Sequence, residues 1–177
     1  AVEGRGRYVD DLVLPRVADV AYVRSPFAHA DILGIDTGAA RAVPGVIAVV
    51  TGAEIAERMT PWLAVMENQP ALKTVPQFAL AVDRALWQGE PVCAVVAETR
   101  AIAEDAAELV EVDWRERPPV TDMERALDAR TPVIHAGIGD NRMYERSVET
   151  GDPDAAFAGA AHIVQDTYNF GRHTGVT

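Results

Sequence analysis

The run Pro91-Val-Cys-Ala-Val-Val-Ala97 constrains the chain most. Seven successive residues without a charge leave no face for water. A short apolar run rich in β-branched residues reads as a strand covered on both sides. Pro91 stands at its first position, where a strand tolerates the missing N–H. Thr99 then offers an N-cap to a helix. At about 100° per residue, Ile102, Ala103, Ala106, Leu109 and Val110 share one face of it, and Arg100, Glu104, Glu108 and Glu111 the other. Val110, Val112 and Trp114 next alternate with Glu111, Asp113 and Arg115, the period-two pattern of a half-buried strand. Trp87 to Trp114 therefore predicts a strand–helix–strand unit.

The rest of the chain supplies further elements. Ala18–Ser25 and His29–Thr37 read as strands, separated by a break at Ser25-Pro26-Phe27. Asp36 or Thr37 is placed to cap a short helix running to Val43, which Pro44-Gly45 ends. Val46–Thr51 reads as another strand buried on both faces, followed by a short helix over Ala53–Met59. From Thr60 to Gln77 no periodicity survives, and Pro61, Pro70 and Pro76 punctuate an irregular excursion that carries Trp62 and Met66. Thr121–Asp128 reads as a short capped helix and 130–147 as loop, with a turn cluster at Gly137–Asn141. Asp152 and Pro153 start a last helix, and His162–Arg172 reads as a last strand. Strands mixed with short helices predict an α+β (mixed α/β) class, read as one domain over 1–177.

Composition narrows function. The chain carries 27 acidic residues against 16 Lys plus Arg, a net charge of −11. That sign opposes nucleic acid and anionic membrane surfaces as partners, because both need a cationic face. No apolar run approaches the roughly 20 residues of a membrane helix, and the N-terminus has no signal-peptide core. One cysteine forms no internal disulfide, which points to the cytoplasm. The chain begins without Met and stops at Thr177 without a terminating signal, so it reads as a fragment of a longer polypeptide.

Candidate chemistry is sparse. Cys93 sits among Val92, Ala94 and Val95, away from the helix N-terminus or cationic neighbour that activates a thiol, and reads as a small core hydrophobe. Glu90, beside Gly89 and Pro91, has no evident acid partner and reads as a carboxylate fixing a corner through backbone N–H groups. His29, His135, His162 and His173 lack HxxxH or CxxC spacing; His29 and Asp31 share a strand face, but two residues rarely hold a metal. Ser25 lies outside any GxSxG elbow. GRGRYV and GIGDNR fall short of phosphate-binding fingerprints. Glu104, Glu108 and Glu111 form a solvated helix face. No catalytic, cofactor-binding or metal residue is assigned.

Three stretches, taken in order, carry a family likeness. GRGRYVDDLVLP leads to AYVRSPFAHADILGIDTGAARAVPGVIAVVTGAEI; FALAVDRALWQGEPVCAVVAETRAIAEDAAELVEVDWRERPPVTD follows; GDPDAAFAGAAHIVQDTYNFGRHTGVT is last. Together they resemble the N-terminal α/β hammerhead domain of the molybdopterin-binding large subunit in the xanthine dehydrogenase, aldehyde oxidase and aerobic carbon monoxide dehydrogenase family. Arg-Ser-Pro-x-x-His-Ala, Pro-Gly-Val and Gly-Glu-Pro-Val are short, and their order and spacing make the likeness specific. It departs at Cys93, where the family usually has Ala or another small residue, and at Trp87-Gln88.

The resemblance implies a non-catalytic structural or interface domain of a molybdenum hydroxylase. Such enzymes hydroxylate aldehydes or heteroaromatics, or oxidise carbon monoxide, with water as the oxygen source. It implies that molybdopterin and the catalytic glutamate belong to a downstream domain, and that iron–sulfur clusters and FAD belong to partner subunits or domains; one cysteine cannot ligate a cluster. The alternative is a free-standing assembly module of the same fold. A small enzyme relying on Cys93 or a carboxylate is the reading that their surroundings oppose. The Trp62–Phe78 segment is the expected exposed apolar patch left by missing partners.

Overall fold

The apolar runs and alternating segments become two small antiparallel sheets. The computed structural model describes residues 4, 6, 8, 11, 12, 14–66, 69 and 71–171. Its strands are β1 (Asp19–Arg24), β2 (Ala30–Asp36), β3 (Val46–Thr51), β4 (Arg84–Ala85), β5 (Pro91–Ala97) and β6 (Glu111–Glu116). Its helices are α1 (Gly38–Arg41), α2 (Gly52–Ala56), α3 (Arg100–Ala107) and α4 (Pro153–Gly159). One sheet has the order β1-β5-β3 and the other β4-β2-β6. The mixed α/β class expected from sequence is what forms. The chain divides into two compact units, Ala1–Tyr144 and Glu145–Thr177.

β5 lies in the middle of its sheet, and Val92, Cys93 and Val95 are fully buried. Each such valine stabilises the fold by roughly 1.5–3 kcal/mol through burial alone. Thr99 caps α3 by accepting from the Ile102 N–H. Ala103 and Ala106 of α3 face inward with Val110 just beyond it, as the helical period predicts, while Leu109 stays exposed. The core cluster of Ala40, Val49, Ala81, Val92, Cys93, Val95, Ala106 and Val110 also takes up Ile32, Val112 and Trp114 from the second sheet. Phe27 meets Trp114 edge-on, with ring centroids 5.9 Å apart.

The strand–helix–strand unit forms as read, as β5, α3 and β6, with β6 pairing with β2 in the other sheet. Several other expectations fail for physical reasons. Val46–Thr51 is an edge strand, not one buried on both faces. A bulge between Val46 and Ala48 inserts Ile47, which is 60% exposed. Of the two capping candidates for α1, Asp36 serves, its Oδ1 accepting from the Gly38 N–H at 2.8 Å, while Thr37 makes no side-chain cap bond.

Thr121–Asp128 forms turns rather than a helix. There Asp122 Oδ1 accepts from Glu124 and Arg125 N–H groups, a local alternative to helical bonding. The described part of His162–Arg172 forms no strand. Its alternating residues favour extension, but a strand needs a partner's ladder, and none pairs with it among the described residues. Within that second unit, α4 starts as read: Asp152 accepts from the Ala155 N–H, and Pro153 is the first helical residue.

Two devices escaped the sequence reading. Thr51 and Glu54 form a reciprocal capping box on α2, with the Thr51 N–H donating to Glu54 Oε2 at 2.7 Å. Gly52, the next residue, has the Ala81 backbone against it; a Cβ would stand 1.9 Å from the Ala81 carbonyl oxygen. That contact lets the chain returning from the irregular excursion lie directly on α2. Gly52→Ala is expected to destabilise the protein by about 1–3 kcal/mol through overpacking, read as a lower urea midpoint with an unchanged slope.

Candidate functional site

The Gly-Glu-Pro corner opens β5, and the Arg24-Ser25-Pro26 segment closes β1; the two hold each other. Gly89 has φ +90°, a conformation that side-chain-bearing residues rarely adopt. Its N–H donates to the Ser25 carbonyl at 2.8 Å, and the Ser25 N–H donates to the Glu90 carbonyl at 2.9 Å. Arg24 Nη1 adds a bond to the Gly89 carbonyl at 2.9 Å. The Glu90 carboxylate accepts from the Leu86 N–H. Burial pushes its carboxyl up from the ordinary value, and the Leu86 and Trp87 N–H groups oppose that shift. Glu90 thus fixes the corner, as its neighbours in sequence suggest.

Ser25 is equally engaged. Its buried hydroxyl donates to the Phe27 carbonyl at 2.8 Å and accepts from the Phe27 N–H at 3.1 Å. Both bonds stabilise the turn between β1 and β2 and leave the oxygen poorly placed as a nucleophile. Cys93 is sealed in the core at 0% exposure. Burial, with the Glu54 charge adding to it, pushes its thiol up to about 11. A reactive cysteine needs the opposite shift and access.

His29 is buried, and its Nδ1 lies 2.9 Å from the Pro118 carbonyl. A carbonyl only accepts, so Nδ1 carries the proton there. His29 Nε2 has no hydrogen-bond partner among the described residues. Asp31, two residues on, is not a ligand beside it. Arg84 Nε lies 2.8 Å from Asp31 Oδ1, Arg117 Nε 2.6 Å from Oδ1 and Arg115 Nη2 2.7 Å from Oδ2. Burial alone would raise the Asp31 carboxyl; hydrogen bonds from Arg117, Arg115 and Arg84 outweigh it and hold the group well below the usual carboxylate range. Sequence reasoning missed this cluster. The available signal was the alternation Arg115-Glu116-Arg117, which places two cations on one strand face.

Of the other histidines, His135 comes near His29. His135 borders a cavity of about 340 Å³ with Phe78, Leu80, Leu86, Trp87 and Glu90. Burial, and then the nearby His29, push the His135 ring below its ordinary value. His162 is exposed in the second unit, and His173 lies outside the described residues, as does part of GRGRYV. Among the described residues no group of three or more His, Cys, Asp or Glu is placed to hold a metal ion. The chain's one cysteine, Cys93, is buried and cannot by itself supply the thiolates of an iron–sulfur cluster. Among the described residues no helix is long and apolar enough to cross a membrane.

Two outcomes follow. Alkylation of Cys93 at pH 8 is expected to be undetectable in the native protein and complete after unfolding, read by mass spectrometry. The Asp31 carboxyl is depressed in the folded state, so its contribution is present above the unfolded value of about 4 and is lost as pH falls below that. Asp31→Asn is therefore expected to lower stability at pH 7 and to flatten the stability loss below about pH 4, measured by urea unfolding across pH.

Comparison with known proteins agrees with this arrangement. Residues 3–118 match the family model described as "Aldehyde oxidase and xanthine dehydrogenase, a/b hammerhead domain". The nicotine 6-hydroxylase large subunit of Paenarthrobacter nicotinovorans is 37% identical over 169 residues, covering 96% of this chain and 20% of that protein. The xanthine dehydrogenase molybdenum-binding subunit of Escherichia coli O157:H7 is 33% identical over 172 residues, covering 94% and 22%. The crystal structure of quinoline 2-oxidoreductase from Pseudomonas putida 86 superposes with a TM-score of 0.81 at 40% identity, covering 91% of this chain and 20% of that one. The chain thus spans about a fifth of the length of the relatives it matches. With more than half its residues matched by one family model, the chain belongs to the aldehyde oxidase and xanthine dehydrogenase family, its residues 3–118 matching the a/b hammerhead domain.

Proposed function

We propose that this hammerhead domain is a non-catalytic scaffold within a molybdenum hydroxylase. One observation carries the reading: the candidate nucleophiles and carboxylates Cys93, Ser25, Glu90 and Asp31 are each engaged in structure. Cys93 is inside the core, Glu90 and Ser25 hold backbone corners, and Asp31 is paired with arginines. The parent reaction is hydroxylation of a heteroaromatic or aldehyde, or carbon monoxide oxidation, with oxygen from water. The relatives, a nicotine 6-hydroxylase large subunit and a xanthine dehydrogenase molybdenum-binding subunit among them, support that class. Molybdopterin belongs to the downstream part of the same polypeptide, and iron–sulfur clusters and FAD to partner subunits or domains, in the cytoplasm. No step of the chemistry is assigned to residues of this chain.

Its surface supports an interface role. Trp62, Leu63, Val65 and Met66 are exposed in the irregular excursion, Trp62 at 62% and Val65 at 80%. Large apolar side chains so clustered mark a contact face. The proposal assigns that face to packing against the cofactor-binding part.

Metal analysis of residues 1–177 expressed alone, beside the full-length polypeptide, tests the proposal. It predicts molybdenum only on the full-length protein. Stoichiometric molybdenum on the short chain contradicts it.

A further inference from the structure

The outer face of the β1-β5-β3 sheet is apolar, and the domain's own core leaves it out. Register puts Val20, Val96 and Ala48 in one row across β1, β5 and β3, and Tyr22, Ala94 and Val50 in the next. Directly opposed residues of antiparallel strands point the same way, so all six share a face. None of them belongs to the core cluster. The core lies on the other face, where Val49, Cys93 and Val95 meet Ala40 of α1 and Ala106 of α3. Ala94, small and central, is buried between its neighbours, while Val20 on the edge strand is 45% exposed and Tyr22 49%. An antiparallel sheet with one face in water alternates apolar with polar residues. β3 and β5 carry no charged residue at all. Their composition suits cover on two faces, and the described residues lay a core on one.

The face is also shaped. Ala48 and Ala94 keep its floor low, and Val20 and Tyr22 stand along the β1 side. On the β3 side, Ile55 of α2 and Met59 just beyond it border a hollow of about 450 Å³ over Ala48 and Val50. Neighbouring strands lie about 4.8 Å apart, so three of them present a trough about 10 Å wide, close to the diameter of one α-helix. Charges stand only at the rim: Arg24 lies over the Tyr22 ring at 5.4 Å, Arg41 pairs with Glu54 at 3.1 Å, and Arg58 borders the hollow. We infer that the trough seats the apolar stripe of one amphipathic helix from the cofactor-binding part of the same polypeptide. The inference rests on the reading of this domain as part of a molybdenum hydroxylase. The chain spans about a fifth of its relatives' length, which leaves such a polypeptide ample chain to supply the helix. Continuity favours that occupant, because Met59 leads into the exposed Trp62–Met66 run already assigned to the contact face. A second copy fits poorly. Six side chains fall far short of the about 20–30 residues a side of a stable interface between free molecules. Two troughs do not fill each other, and copies of net charge −11 repel. A tethered helix needs less area, because the linkage raises its effective concentration.

Benzoylphenylalanine in place of Tyr22 tests this in the full-length protein purified with its subunits. The expected photoproduct joins that position to a peptide of the same polypeptide outside residues 1–177, with apolar residues recurring at i, i+3 or i+4, and i+7. Its yield should fall about tenfold in Val20→Glu, which places a charge in the covered trough, and persist in Val20→Thr. A charge there also risks the fold, so the unsubstituted protein gives a second reading. Tyr22 should nitrate about tenfold more slowly in the native full-length protein than after unfolding. A product at twice the polypeptide's mass, a cross-link to a partner subunit, a peptide without that spacing, or no product overturns the inference. So does a native Tyr22 that nitrates at the unfolded rate. Each of these results leaves the scaffold reading standing, since that reading fails only on molybdenum bound to residues 1–177 alone.

Discussion

The burial of β5 on both faces governs this domain. Val92, Cys93 and Val95 tolerate no water, so the strand needs β1 and β3 on its edges and helix α3 against it. Its entry must then turn sharply without leaving buried polar groups unpaired, because an unsatisfied N–H or carbonyl is costly. The lock between Ser25 and Gly89-Glu90 meets that need. Arg-Ser-Pro and Gly-Glu-Pro-Val lie more than sixty residues apart in sequence, yet they are two halves of one hydrogen-bonded corner.

The second sheet depends on a different force. Its strands carry fewer apolar residues, and a charged cluster helps hold their register. β2 is flanked on both sides by arginines that its one buried carboxylate attracts. Breaking such a buried group away from its partners is costly, even where the net worth of the pair against an apolar substitute is small. The core reaches across through Ile32, Val112 and Trp114, so the apolar and ionic parts support one structure.

Much of the first sheet was legible because burial on both sides writes itself into sequence. Pro91–Ala97, the Thr99 cap and the α3 faces were all readable for that reason. Val46–Thr51 misled because a bulge and an edge position expose Ile47, and composition does not record strand order. Two-residue β4 carries no periodicity to detect. Thr121–Asp128 shows a cap-like start, but its side-chain bonds serve a turn. At the site, the burial of Cys93 and the backbone bond of Glu90 were readable from their immediate neighbours. The arginine cluster was not, because its members come from three strands brought together only by sheet order.

The central claim is that Cys93 and Glu90 act on structure and not on the reaction. Turnover of the full-length enzyme carrying Cys93→Ala or Glu90→Gln, normalised to folded and cofactor-loaded protein, tests it most directly. The account predicts turnover per loaded molecule equal to the parent's, with any loss appearing as lower stability or yield. A drop of about 10²-fold or more in a fully folded, loaded variant, the size expected when a proton-transfer group is removed, contradicts it.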